Sequence, residues 1–119
     1  MKSHQLGKDG EAFAQEFLAA QGYNILQLNY RTKVGEIDMV AQDGDVVVFI
    51  EVKTRQEDGW DAFEAVHKHK QSKIRRVAQQ YLIEHYGTED VAARFDVLGV
   101  RSSPSGALEA ELLKDAFGI

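Results

Sequence analysis

Apolar and polar positions follow two periods along this chain, and the changes between them mark out two helices and five strands. Between about Asp9 and Gln21, Phe13, Ala14, Phe17 and Leu18 recur at helical spacing, and Gly22 follows as a C-terminal stop. Tyr23 to Tyr30 alternates as a strand does, and Glu36 to Ala41 predicts a second strand. Asp43-Gly44 is a two-residue hairpin signal that leads into a third strand, Val46 to Lys53. The polar stretch from Gln56 to Asp61 predicts a loop. A second helix is expected from about His67 to Tyr86, with Ile74, Val77, Ala78, Tyr81 and Leu82 as its apolar stripe and Gly87 at its end. Arg94 to Val100 predicts a fourth strand, Ser103-Pro104-Ser105-Gly106 a turn, and Leu108 to Leu113 a fifth strand. There is no internal repeat, low-complexity segment or domain boundary. The order αβββαββ therefore predicts a single α/β domain over residues 1–119, with helices on either side of a short mixed sheet.

The hairpin carries a geometric consequence. With Asp43-Gly44 as the loop, Gln42 pairs with Asp45, and counting outward sets Val40 opposite Val47, Asp38 opposite Phe49 and Glu36 opposite Glu51. Asp38, Glu51 and Lys53 then project from one side of the sheet, because opposed residues share a face and so do residues two apart. Asp38 and Glu51 become diagonal neighbours, roughly 7–8 Å apart at the backbone. Val46-Val47-Val48-Phe49-Ile50 is apolar on both faces, as a central covered strand should be. Charges at the end of such a strand are costly without a purpose. Two converging carboxylates call for a cation between them, and Mg²⁺ commonly takes one or two carboxylates. Lys53 beside them could orient or deprotonate a water, or stabilise charge on a phosphate. The competing reading is a surface hairpin whose charges are simply solvated.

Glu11 falls at i, i+3, i+7 with Ala14 and Leu18, which predicts a place on the core-facing stripe of the first helix. Two roles stay open for it: an acid aimed at the site, or a negative charge flanking a helix N-terminus. Lys70 and Gln71 stand one turn before Ile74 and are placed to aim at the sheet end that bears Lys53. Trp60 and Phe63 could stack on a base, although core packing is the default for them. His4, His67, His69 and His85 show no metal-ligand pattern.

Composition narrows the classes. The chain has 119 residues, 44% of them apolar, one proline and no cysteine, which excludes disulfides, cysteine-ligated metals and thiol nucleophiles. No apolar h-region follows the N-terminus and no run approaches membrane-spanning length, so neither a signal peptide nor a membrane association is expected and a cytoplasmic location is. The formal net charge is −5, yet nine of the fourteen basic residues fall between Arg31 and Arg76. A focused positive potential of that kind attracts a polyanion despite a negative total.

Asp38 followed by Glu51-Val52-Lys53, in this order of elements, resembles the PD-(D/E)XK nuclease core, the restriction-endonuclease-like fold. More narrowly, seven segments resemble the bacterial YraN family, related by fold to Holliday-junction resolvases. They are Gly10-Glu11, Gly22-Tyr23, Asn29-Tyr30-Arg31, Gly35-Glu36-Ile37-Asp38, Phe49 to Arg55, Lys70-Gln71 and Arg94-Phe95-Asp96-Val97. The resemblance implies an αβββαβ core and makes Asp38, Glu51 and the main-chain carbonyl of Val52 the ligands of Mg²⁺ or Mn²⁺. It makes Lys53 the catalytic lysine, Glu11 a further helix-borne acid of the site and Gln71 an auxiliary polar residue. Ile37 stands where the motif's name has proline, a position without chemistry.

Together these readings predict a divalent-metal-dependent endonuclease acting on nucleic acid, with DNA favoured over RNA and branched or structured DNA as candidate substrate. Arg31, Lys33, Arg55, Lys70, Lys73 and Arg76 are the expected nucleic-acid contacts. A homodimer would suit two-strand cutting. The alternatives are a non-catalytic nucleic-acid-binding module on the same fold, or an interaction scaffold using the Trp60 loop or the acidic last strand.

Overall fold

The computed structural model describes residues 2–55 and 68–117, with side chains described over 9–53 and 70–117. The elements follow the expected order: α1 (Lys2–Ala20), β1 (Asn24–Arg31), β2 (Glu36–Asp43), β3 (Val46–Arg55), α2 (Lys68–Tyr86), β4 (Ala93–Ser102) and β5 (Leu108–Phe117). All five strands form one sheet in the order β1-β2-β3-β4-β5. β1, β2 and β3 are an antiparallel meander, β3 and β4 run parallel, and β5 returns antiparallel to β4. A parallel pair needs a crossover, and α2 lies within the segment joining β3 to β4. The result is the α/β class with a mixed sheet, compatible with a restriction-endonuclease-like core. No helix among the described residues is long and apolar enough to cross a membrane.

β3 is the middle strand, and its alternate side chains feed two separate cores. Val47 and Phe49 pack with Ile74, Val77, Ala78, Tyr81 and Leu82 of α2. Val48 and Ile50 pack with Ala14 and Leu18 of α1. The two helices therefore cover opposite faces, and Val47 through Ile50 are each at most 2% exposed. A run apolar on both faces is what this strand needs.

Three boundaries differ from the pattern. α1 begins at Lys2, so Gly7 and Gly10 lie inside the helix. Gly10 is buried there, and its missing side chain permits close backbone approach. β5 continues past Leu113 to Phe117 across an irregularity opposite Phe95/Val97, where Asp115 has φ 54°. Phe117 then stacks on Phe95, ring centroids 4.7 Å apart, a packing gain that the polar Lys114-Asp115 pair conceals in the sequence.

The third difference bears on the site. Asp43 pairs with Val46, so the two-residue loop is Gly44-Asp45 and not Asp43-Gly44. Gly44 has φ 62° and Asp45 is not among the residues with positive φ, the pattern of a type II′ turn with glycine first. The register moves by two residues: Val40 faces Phe49 and Met39 faces Ile50. A slip of two preserves which face each side chain occupies, whereas a slip of one would have reversed it.

Candidate metal centre and its neighbours

Continuing that register by one position brings Asp38 directly opposite Glu51, closer than the diagonal arrangement expected from the sequence. The last main-chain ladder pair is Met39 with Ile50, and beyond it the Asp38 side chain takes over. Its Oδ2 accepts a hydrogen bond of 2.7 Å from the Val52 N–H, clipping β2 to β3 where the main-chain pairing stops. Glu51, 7% exposed, is one of two buried charged residues among those described. Its Oε2 receives two ammonium groups: Lys53 Nζ at 3.8 Å and Lys70 Nζ in a closer ion pair.

Asp38, Glu51 and Lys70 line a cleft of about 440 Å³ between the sheet and α2. Val34, Gly35 and Glu36 form one wall, Asp38 and Glu51 the floor, and Lys70, Lys73 and Ile74 the other wall. The turn ahead of β2 is built by Thr32. Its Oγ1 accepts from the Val34 and Gly35 N–H groups at 3.0 and 3.3 Å, and its own N–H donates to the Gly35 carbonyl at 2.8 Å.

Burial, then the neighbouring Glu51 charge, push the Asp38 carboxyl up from 3.8 to about 7, against the opposing pull of the Val52 N–H and Lys70. Lys53 moves the other way. Burial and the adjacent Lys70 hold its ammonium below the ordinary lysine value, with Glu51 and Asp38 pulling it back. Lys70 is itself disfavoured by burial, but its hydrogen bond and charge attraction to Glu51 raise it overall. A carboxyl shifted up beside a lysine shifted down is an arrangement found both at functional sites and in structural ion-pair networks.

The chain matches the model of the uncharacterised protein family UPF0102 over residues 10–100. The chain belongs to that family. A UPF0102 protein of Symbiobacterium thermophilum is 45% identical over 116 residues, covering 97% of this chain and 98% of its own. One from Syntrophus aciditrophicus is 44% identical over 112 residues, covering 93% of this chain and 87% of its own. One from Pseudomonas savastanoi pv. phaseolicola is 40% identical over 114 residues, covering 95% and 93% respectively. The UPF0102 match spans Asp38, Glu51, Lys53 and Lys70, and stops before β5.

Within this UPF0102 chain the remaining expected site residues divide. Glu11 does not face the core: it is exposed, and α1 covers the sheet face opposite α2. The buried row of α1 is Gly10, Ala14 and Leu18, at i, i+4, i+8, which leaves Glu11 one residue around the helix. No group of three or more potential metal-binding side chains forms among the described residues. Gln71 is half-buried beside Lys70, and its Oε1 accepts from Arg75 Nη2 at 3.5 Å. Lys70, expected to aim at this sheet end and to contact phosphate, is ion-paired with Glu51. Arg31 is exposed and paired with Glu36 at 3.1 Å, while Lys33, Lys73 and Arg76 are exposed. The Arg55 side chain, Trp60, Phe63 and His67 lie outside the described residues.

Sequence reading missed a second polar cluster, on the α1 face. Asp96, fully buried, accepts from the Tyr23 hydroxyl at 2.6 Å, from Arg94 Nε at 3.0 Å and from the Asp115 N–H at 2.9 Å. Arg94 Nη2 also reaches Asp43 Oδ2 at 2.8 Å. The signal was an aspartate within the apolar run Phe95-Asp96-Val97-Leu98, a place where a carboxylate needs a partner. The cluster ties β1, β2, β4 and β5 together.

Proposed function

We propose that this protein is a divalent-metal-dependent endonuclease that hydrolyses phosphodiester bonds in nucleic acid, with branched or structured DNA the favoured substrate class. The observation that carries this is the convergence of Asp38 and Glu51 in the cleft, with Lys53 on the same face. The donor set suits a hard dication: burial, and then the neighbouring Glu51 charge, push Asp38 toward neutrality, and a cation between the two carboxyl groups would oppose that shift. Asp38, Glu51 and the main-chain carbonyl of Val52 would hold it. When bound, Mg²⁺ or Mn²⁺ supplies an acidified water and charge to offset the phosphate.

The chain's own residues do the rest. Lys53, whose ammonium is held below its usual range, is suited to exchange a proton with the attacking water or to steady the phosphate oxygens. Gln71 is an auxiliary polar residue on the same helix as Lys70. Lys33, Lys73 and Arg76 present exposed positive charge for the backbone on either side of the cleft. The test is cleavage of labelled junction, flap, single-stranded and duplex substrates with Mg²⁺ or Mn²⁺ by the protein and by Lys53→Ala. Cutting lost in the variant supports the assignment; equal cutting by both means a contaminant and ends it.

A second reading, a nucleic-acid-binding module without catalysis, is favoured by two lysines already neutralising Glu51. It predicts salt-sensitive binding with no metal-dependent cleavage. Clear Mn²⁺ binding that disappears in Asp38→Asn would count against it.

A further inference from the structure

Lys70 comes from α2 and reaches across the cleft to the sheet, where it meets the same Glu51 oxygen that Lys53 approaches from the strand. Two ammonium groups on one carboxylate oxygen is more positive charge than that oxygen needs. Lys53 stands two residues along β3 from Glu51, on the same face, with its side chain the more covered of the two. Lys70 is different: its side chain is 42% exposed, against 20% for Lys53, and it stands at the cleft wall with solvent behind it.

The formal charges make the consequence concrete. Asp38, Glu51, Lys53 and Lys70 together are neutral, so a dication entering that set would raise it to a doubly positive cluster in a half-buried place. With Lys70 withdrawn, the remaining three carry one negative charge, and the loaded site becomes singly positive. That matches the single negative charge of a phosphodiester. The oxygen that Lys70 occupies is also one of the few a cation could use, because Asp38 Oδ2 is engaged by the Val52 N–H.

We infer that Lys70 is an internal counter-ion that stands in the divalent cation's place on Glu51, so that the metal loads only by displacing it. This rests on the metal-site reading above, and it makes Lys70 a positioning residue that sets metal affinity, not one that acts on substrate. Swinging out, the ammonium joins Lys73 on the cleft wall.

Mn²⁺ titration calorimetry tests it without any activity measurement, on wild type, Lys70→Met, Lys70→Arg and Lys73→Met. Lys73 lines the same cleft on the same helix, so its variant reports the general effect of removing a nearby positive charge. Losing a partly exposed ion pair worth about 1 kcal/mol should tighten Mn²⁺ binding by roughly five- to tenfold in Lys70→Met. Lys73→Met should change it by about twofold at most, as a screened longer-range charge, and Lys70→Arg should stay near wild type. Equal tightening in Lys70→Met and Lys73→Met, or none in the former with wild type still binding, overturns the inference and leaves the metal site standing. No Mn²⁺ binding by any of the four proteins overturns the metal-site reading itself, and this inference with it.

Discussion

Asp38→Asn offers a test of the site's electrostatics that needs no substrate. The Asp38 carboxyl titrates near 3.8 when unfolded and near 7 when folded, mainly through burial and secondly through Glu51. The folded state therefore binds the proton more tightly, and between those values it holds more protons than the unfolded chain. Stability contributed by this group is fully present below about pH 4 and is lost as pH rises through about 7. At pH 8 the shift corresponds to about 4 kcal/mol of destabilisation, which partial solvent access reduces to about 2–4 kcal/mol. Asparagine is isosteric, carries no charge, and keeps an oxygen to accept from the Val52 N–H.

We predict that Asp38→Asn is more stable than wild type at pH 8 and equal to it near pH 4. For a domain of this size the gain is roughly 6–15 °C in Tm at pH 8. Thermal melts of both proteins in EDTA at several pH values read the difference directly, and other carboxylates cancel because both proteins carry them. Adding Mn²⁺ at pH 8 should then raise the wild-type Tm and leave the variant unmoved. A variant less stable than wild type at pH 8, or a difference independent of pH, would refute the claim that Asp38 is held charged against its environment.

Three further outcomes follow from particular contacts. Asp96→Ala leaves Arg94 in a half-buried place without its main partner and should cost about 3–5 kcal/mol in urea unfolding, whereas a loss below 1 kcal/mol would remove the clasp as a stabilising element. Gly44→Ala imposes a side chain at φ 62° and should cost about 1–2 kcal/mol, with nothing for the new methyl group to strike; no measurable loss would mean the turn relaxes to another type. For nucleic acid binding, Lys73→Ala and Arg76→Ala should each lower the slope of log affinity against log salt by about 0.9, read by fluorescence anisotropy, and an unchanged slope in both would place the polyanion elsewhere.

The fold was legible because the strongest signals are periodic. Val46 to Ile50 had to be a covered strand, and the α2 stripe from Ile74 to Leu82 is the stripe that packs. The pairing of Asp38 with Glu51 was legible for a subtler reason: the turn was misplaced by one residue, which shifts the register by two, and parity survived. The core-facing place expected of Glu11 was wrong because helical spacing fixes an angle only to within a residue, and the buried row runs through Gly10. Lys70 was legible as a residue aimed at this sheet end, but its ion pair with Glu51 was not, and the Arg94 cluster was beyond a one-dimensional reading because it joins residues as far apart as Tyr23 and Asp96.

The two buried acids of the described residues, Glu51 and Asp96, are partnered in different ways. Asp96 sits among mutually compatible partners: a guanidinium from its own strand, a hydroxyl from just ahead of β1 and a backbone N–H of β5 approach its two oxygens. Burial works against the Arg94 charge, yet Asp96, Asp43 and Tyr23 hold that guanidinium firmly protonated. Glu51 has no such set. Both of its cationic partners come to one oxygen, they crowd each other, and across the strand Asp38 is pushed toward the neutral form. Burying a charge is tolerable when its partners agree, as at Asp96. Where they compete, as at Glu51, the proposed dication would relieve the carboxylates by taking the place that Lys70 holds.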